Sequence, residues 1–237
     1  MEEARRRRPA PRSAFGARVR PGAQPVVTYA VIVLCAVMYA LQLVSDRVTQ
    51  LFWYVPLYTS DIALATGQFE PWRMLTSSVL HSPASAMHIL FNMMALWFVG
   101  RVMEPEIGRL RYGALLVLSA LGGSVAVLIL SEWNVPTVGA SGAVFGLFGA
   151  LFILTRASGA ETGGIVALIG INMVVSFLVP NISWQGHLGG LVTGALVALI
   201  ITRAPRRGRA LWQGAGLLGV AALLVALTAV GAAMVSP

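Results

Sequence analysis

VVTYAVIVLCAVMYALQLV, residues Val26–Val44, runs for nineteen residues without a charge. A helix needs about 20 apolar residues to cross a hydrocarbon core of ~30 Å, so this stretch reads as a membrane span. It is longer than the apolar region of a signal peptide and no convincing cleavage site follows it, which predicts an uncleaved first helix. The rest of the chain has the same character. Of 237 residues, 57% are apolar and 11% charged, which excludes an ordinary soluble domain and fits a polytopic membrane protein.

Reading for span length predicts seven helices, near residues 26–45, 86–103, 112–131, 141–155, 163–179, 185–202 and 211–235. The fold class is therefore all-α, a transmembrane helical bundle. All 17 basic residues are arginine. With the N-terminus in the cytoplasm, fifteen of them fall on the inside, and only Arg47 and Arg73, in the long first connection, fall outside. Every short loop then obeys the positive-inside rule, and an odd number of spans leaves the C-terminus extracytoplasmic. Three parts are expected: a disordered cytoplasmic Arg/Pro-rich tail over 1–25, a six-helix core over 26–202, and a cytoplasmic loop with one extra helix over 203–237.

The net charge of +8 follows topology and forms no basic face with interleaved aromatics, so no nucleic-acid partner is expected. One cysteine, Cys35, rules out an intrachain disulfide. The three histidines lack metal-ligand spacing, so neither a metal nor another cofactor is expected.

The second, fourth and sixth spans all run from outside to inside. Their starts carry His88 and Asn92, then Ser141, then His187. Singly, each has a plain reading: a small packing residue, a histidine bonded to a carbonyl, two side chains tying helices together. Four polar side chains from distant parts of the chain at one depth favour a site instead. Ser141 stands in Gly139-Ala140-Ser141-Gly142 at a helix start, where free amides and the helix dipole stabilise developing negative charge. The fourth span is short. With its inner end held by Arg156, Ser141 lies roughly 10 Å below the outer surface, and the irregular backbone before it must line a wet cavity or be buried in protein. Gly142 and Gly146 in that span, and Gly190, Gly194 and Ala198 in the sixth, allow close helix approach and carry His187 toward Ser141. Glu104, Glu106 and Arg109, at the far end of the second span, read as an interfacial ion-pair anchor.

These pieces resemble the rhomboid intramembrane serine proteases of bacterial type, with a six-helix core plus one. The resemblance rests on His88-Ile89-Leu90-Phe91-Asn92, Gly139-Ala140-Ser141-Gly142 and Gly186-His187-Leu188-Gly189-Gly190. Pro71-Trp72-Arg73 and Glu104-Pro105-Glu106-Ile107-Gly108-Arg109 add to it. It covers roughly residues 26–202. It implies Ser141 as nucleophile and His187 as general base, with His88, Asn92 and the Ser141 amide forming the oxyanion hole. Gly139, Gly142, Phe145 and Gly190 support them, Phe145 against the imidazole. The connection from His81 to His88 is longer than in some members, and His81 receives no catalytic role. No carboxylate orients the imidazole, so orientation is expected from packing.

The implied substrates are transmembrane helices of other proteins, unwound locally and cut near the outer face, in the bacterial inner (plasma) membrane. Entry is expected beside the fifth span, under a lid formed by residues 180–185. Two other readings compete: a catalytically inactive rhomboid-like chaperone, and a small-solute transporter, for which neither internal repeats nor mid-membrane charges are present. The oligomeric state does not follow from the sequence.

Overall fold

A computed structural model describes residues 24–235, together with Ser13, Phe15–Ala17 and Gly22. The arginine run Arg5–Arg8 of the expected tail lies outside the described residues. Within that tail, the Ser13 hydroxyl donates to the Glu106 carbonyl at 2.6 Å and Ala17 is buried.

Among the described residues ten α-helices follow in order: α1 Val26–Val44, α2 Asp46–Phe52, α3 Asp61–Thr66, α4 Arg73–Thr76, α5 Ala86–Ile107, α6 Arg109–Leu130, α7 Ser141–Ala157, α8 Gly163–Leu178, α9 Trp184–Arg203 and α10 Arg209–Met234. Five of them, α1, α5, α6, α9 and α10, are long and apolar enough to cross a membrane; α7 and α8 are apolar but shorter, at 17 and 16 residues. The chain is an integral membrane protein. The predicted spans coincide with helices to within about a turn. The largest difference is α5, which continues to Ile107 with Pro105 inside it.

The centre of the bundle is built from glycine. On α7, burial is continuous from Ala143 to Ala150, so this helix is enclosed by its neighbours. A Cβ on Gly190 would overlap the Gly142 carbonyl oxygen, and one on Gly194 would overlap that of Gly146. Both contacts advance four residues in the same direction, so α7 and α9 run parallel in glycine-to-glycine register. Helix α6 lies antiparallel against both: Gly123 meets Gly186 and Gly142, while Gly122 meets Thr193 and Ser119 meets Gly146. Lipid tails are as apolar as the side chains, so packing and polar contacts drive such association, and small residues let backbones touch. Helix α10 returns along α6, with Gly231 against Leu128, and is tied to α9 where Gln213 donates to the Ile201 carbonyl at 2.9 Å.

The ion pair expected between Glu104 and Arg109 is present, but Glu104 has a further role. It is buried and caps α1, accepting from the amides of Val27 (3.0 Å) and Thr28 (2.9 Å) and from the Thr28 hydroxyl (2.8 Å). A carboxylate at a helix N-terminus satisfies free amides and complements the dipole. Arg109 stands at 3.8 Å from Glu104 on a largely exposed side chain and is the lesser partner.

The long connection between α1 and α5 is not irregular. It holds α2, α3, α4 and two 3-10 turns, Pro56–Thr59 and Ser77–Val79. Arg73 organises it: the buried guanidinium pairs with Glu70, donates to the carbonyls of Gln50 (2.7 Å) and Trp53 (3.3 Å), and lies over the Tyr58 ring. Tyr54 and Thr137 then exchange two backbone hydrogen bonds, and Gly139 donates to the Ser77 carbonyl. The connection is thereby fastened to the segment that leads into Ser141.

Candidate active site

Ser141 is the first residue of α7, so its amide has no intrahelical acceptor. Immediately before it, Gly139 adopts φ +135°, a conformation that only glycine takes without strain. Space as well as torsion demands glycine there. A Cβ on Gly139 would stand 2.9 Å from His88 Nε2 and 3.5 Å from Ser141 Oγ. The imidazole of α5 and the hydroxyl of α7 therefore border the same point, a gap that the missing Cβ leaves open.

The hydrogen bonds of His88 determine what it presents there. The Ser82 amide donates to His88 Nδ1 at 3.3 Å, so in the neutral ring the proton sits on Nε2, the nitrogen facing the gap. Asn92, one turn further and buried, donates one amide hydrogen to the His88 carbonyl at 2.8 Å and keeps a second. His88 and Asn92 are both donors on the face of α5 that Leu96 and Gly100 continue into the core.

His187, on the first turn of α9, is brought to the serine end of α7 by the glycine register. Gly186, its neighbour, has its carbonyl oxygen 3.5 Å from the Cβ position of Gly142, the neighbour of Ser141. The imidazole stacks on Phe145, with ring centroids 4.1 Å apart and planes 14° apart. Phe145 lies one turn along α7 from Ser141, the relation expected from the spacing.

The imidazole has a second partner that the sequence reading lacks. Ser176 Oγ, from α8, is 2.6 Å from His187 Nδ1, and Ser176 is the one buried residue of a helix whose other residues are half-buried or exposed. A serine in an apolar helix carries no sequence signal that separates this role from packing.

Beside Ser141 is a cavity of about 30 Å3, bordered by Ser77, Ser124, Thr137, Gly139 and Ser183 among others. It is large enough for a water, and its walls carry polar partners. The irregular segment before α7 lines this cavity through Thr137, Val138 and Gly139. In the stretch 180–185, Asn181 is left-handed at φ 64°, Ser183 borders the cavity and caps α9 through the Gly186 amide, and Trp184 rests on Phe177. His81 stands next to His88, rings edge to face at 5.2 Å. It is fully buried, its two ring nitrogens have no hydrogen-bond partner among the described residues, and burial pushes its pKa down to about 3, with His88 adding to the shift. No group of three metal-ligating side chains occurs among the described residues.

The Rhomboid domain family matches residues 68–204. Rhomboid protease GluP of Bacillus subtilis (strain 168) is 34% identical over 212 residues, covering 86% of this chain and 41% of the relative. Putative rhomboid protease YdcA of the same organism is 27% identical over 188 residues, 77% of this chain and 92% of the relative. Rhomboid protease GlpG of Yersinia pestis (strain Pestoides F) is 30% identical over 189 residues, 76% of this chain and 64% of the relative. The chain thus spans about two fifths of GluP's length. With the family match covering more than half of its residues, the chain belongs to the rhomboid family.

Proposed function

We propose that this protein is an intramembrane serine endopeptidase that cleaves transmembrane segments of other membrane proteins through a Ser141–His187 dyad. The observation that carries the reading is the stack of His187 on Phe145, which holds an imidazole from α9 at the serine end of α7. Ser141 Oγ attacks the scissile carbonyl carbon as His187 Nε2 takes its proton, and the proton then passes to the leaving amine. The oxyanion formed meets the Nε2–H of His88, the spare amide hydrogen of Asn92 and the Ser141 amide. Water then hydrolyses the acyl-enzyme with His187 again as base, and the polar cavity beside Ser141 is a suitable store for it.

The arginine distribution supports a site in the outer half of the bilayer, with the N-terminus cytoplasmic and the C-terminus outside. A helical substrate hides its peptide bonds behind its own hydrogen bonds. Segments rich in Gly, Ala, Ser or Pro near that face unwind most readily and are the preferred substrates. The test is purified protein in lipid vesicles with a model transmembrane substrate. Cleavage by the unaltered chain, lost in both Ser141→Ala and His187→Ala, supports the reading; cleavage retained by Ser141→Ala overturns it.

A further inference from the structure

We infer that Ser176 is a positioning residue for the base: from α8 it fixes the tautomer of His187 that leaves Nε2 free to accept a proton. The inference rests on the dyad reading and adds the group that orients it.

Ser176 Oγ is 2.6 Å from the Asn172 carbonyl oxygen, one turn back on α8, and 2.6 Å from His187 Nδ1. A hydroxyl has one hydrogen and two lone pairs. The carbonyl can only accept, so the Ser176 hydrogen belongs to that bond. What remains on Oγ toward His187 is a lone pair, and Nδ1 must therefore supply the hydrogen. With the proton on Nε2 instead, one of these two close pairs would face each other as acceptors with nothing between them, at a buried site where unmet acceptors are costly. Neutral His187 is thus held as the Nδ1–H form with its Nε2 lone pair exposed.

The arrangement works in both protonation states. When Nε2 takes a proton, Nδ1–H still donates to Oγ, so no partner has to change during turnover. Phe145 sets the plane of the ring from one side; a stack alone leaves the ring free to turn within that plane. The Ser176 bond removes that freedom. It supplies, with a neutral hydroxyl backed by a helix carbonyl, the orienting function that no carboxylate among the described residues supplies. Because Ser176 is the buried residue of α8, the same bond also makes the competence of the base depend on α8 being seated.

The test uses the full-length chain with nitrogen-15 histidine, in micelles or bilayers near neutral pH. Three histidines make the spectrum assignable by single substitution. In the unaltered protein His187 should show a protonated Nδ1 and an unprotonated Nε2. In Ser176→Ala that signature should move toward the other tautomer, with kcat lowered roughly 10- to 100-fold and KM little changed. Ser176→Thr, which keeps a hydroxyl able to bond the same carbonyl, should restore most of the rate and the signature. An unaltered protein whose His187 carries its proton on Nε2 overturns the inference, whether or not the variants fold. So does a folded Ser176→Ala with the original signature and rate. Failure of the dyad reading shows separately, as cleavage surviving Ser141→Ala.

Discussion

Phe145 and His187 face each other ring to ring, 4.1 Å apart and nearly parallel. A flat surface restricts the tilt of an imidazole that has no carboxylate to hold it. Phe145→Leu fills much of the same volume but offers no plane, so kcat should fall roughly tenfold while thermal stability in detergent changes little. Phe145→Tyr should retain activity. A Leu variant with unchanged kcat would show that the stack does not position the base.

Glycine at the α7–α9 crossing is demanded by contact rather than by conformation. Gly190→Ala and Gly194→Ala each drive a methyl into a carbonyl oxygen of the facing helix, and the parallel helices can accommodate it only by separating. Both variants should lose activity, and their melting temperatures should drop steeply. Gly214 and Gly219 on α10 are the contrast, because open space surrounds their Cβ positions. Alanine there should be neutral or stabilise by up to about 1 kcal/mol, through helix propensity and the lower entropy of the unfolded chain. Equal effects at the two sets of sites in thermal unfolding would contradict the packing argument.

These contrasts explain what was legible in the sequence. Bilayer thickness dictates the lengths of the spans, so the helices were readable to within a turn. The glycine register and the Ser141–Phe145 spacing are periodic features of single helices and could be read in the same way. Three things were not. Ser176 acquires meaning only from the rotation of α8 relative to α9 and from the carbonyl behind it. Glu104 reads as an interfacial charge beside Arg109, a pair that does form, but its hydrogen-bonding partners lie 76 and 77 residues away. The short helices after α1 have no amphipathic period long enough to detect; Arg73 gathers them through contacts with backbone carbonyls.

The Glu104 cap gives a direct stability test. Glu104→Ala leaves two amides and a hydroxyl at the start of α1 without their acceptor, which should destabilise the protein by about 3 kcal/mol. Glu104→Gln, keeping an acceptor but no charge, should fall between. Arg109→Ala should do little, because exposed ion pairs contribute about 0–1 kcal/mol. Glu104 lies sixteen residues along α5 from His88, or ~24 Å. The folded fraction of Glu104→Ala should therefore cleave substrate at the original rate. Thermal unfolding and specific activity per folded molecule check the two halves of this prediction. A loss of rate without loss of stability would contradict it.

His81 makes the protein acid-sensitive. Its imidazole is buried and neutral, with a folded pKa of about 3 against 6.5 in the unfolded chain. Between those values the unfolded state binds a proton that the folded state excludes. The stability is therefore whole above pH 6.5 and declines as pH falls toward 3, by up to about 1.4 kcal/mol per pH unit. Replacing the ring by an apolar side chain of similar size removes the proton site and also two nitrogens with no hydrogen-bond partner among the described residues. His81→Leu should melt near the unaltered protein at pH 8, above it at pH 5, and with a flatter dependence between. Parallel curves for the two proteins would mean that the acid sensitivity arises from other groups. Because the ring sits edge to face against His88, activity at pH 8 should also be followed. A modest fall in kcat with unchanged pH-dependence of stability would assign His81 to holding the His88 ring alone.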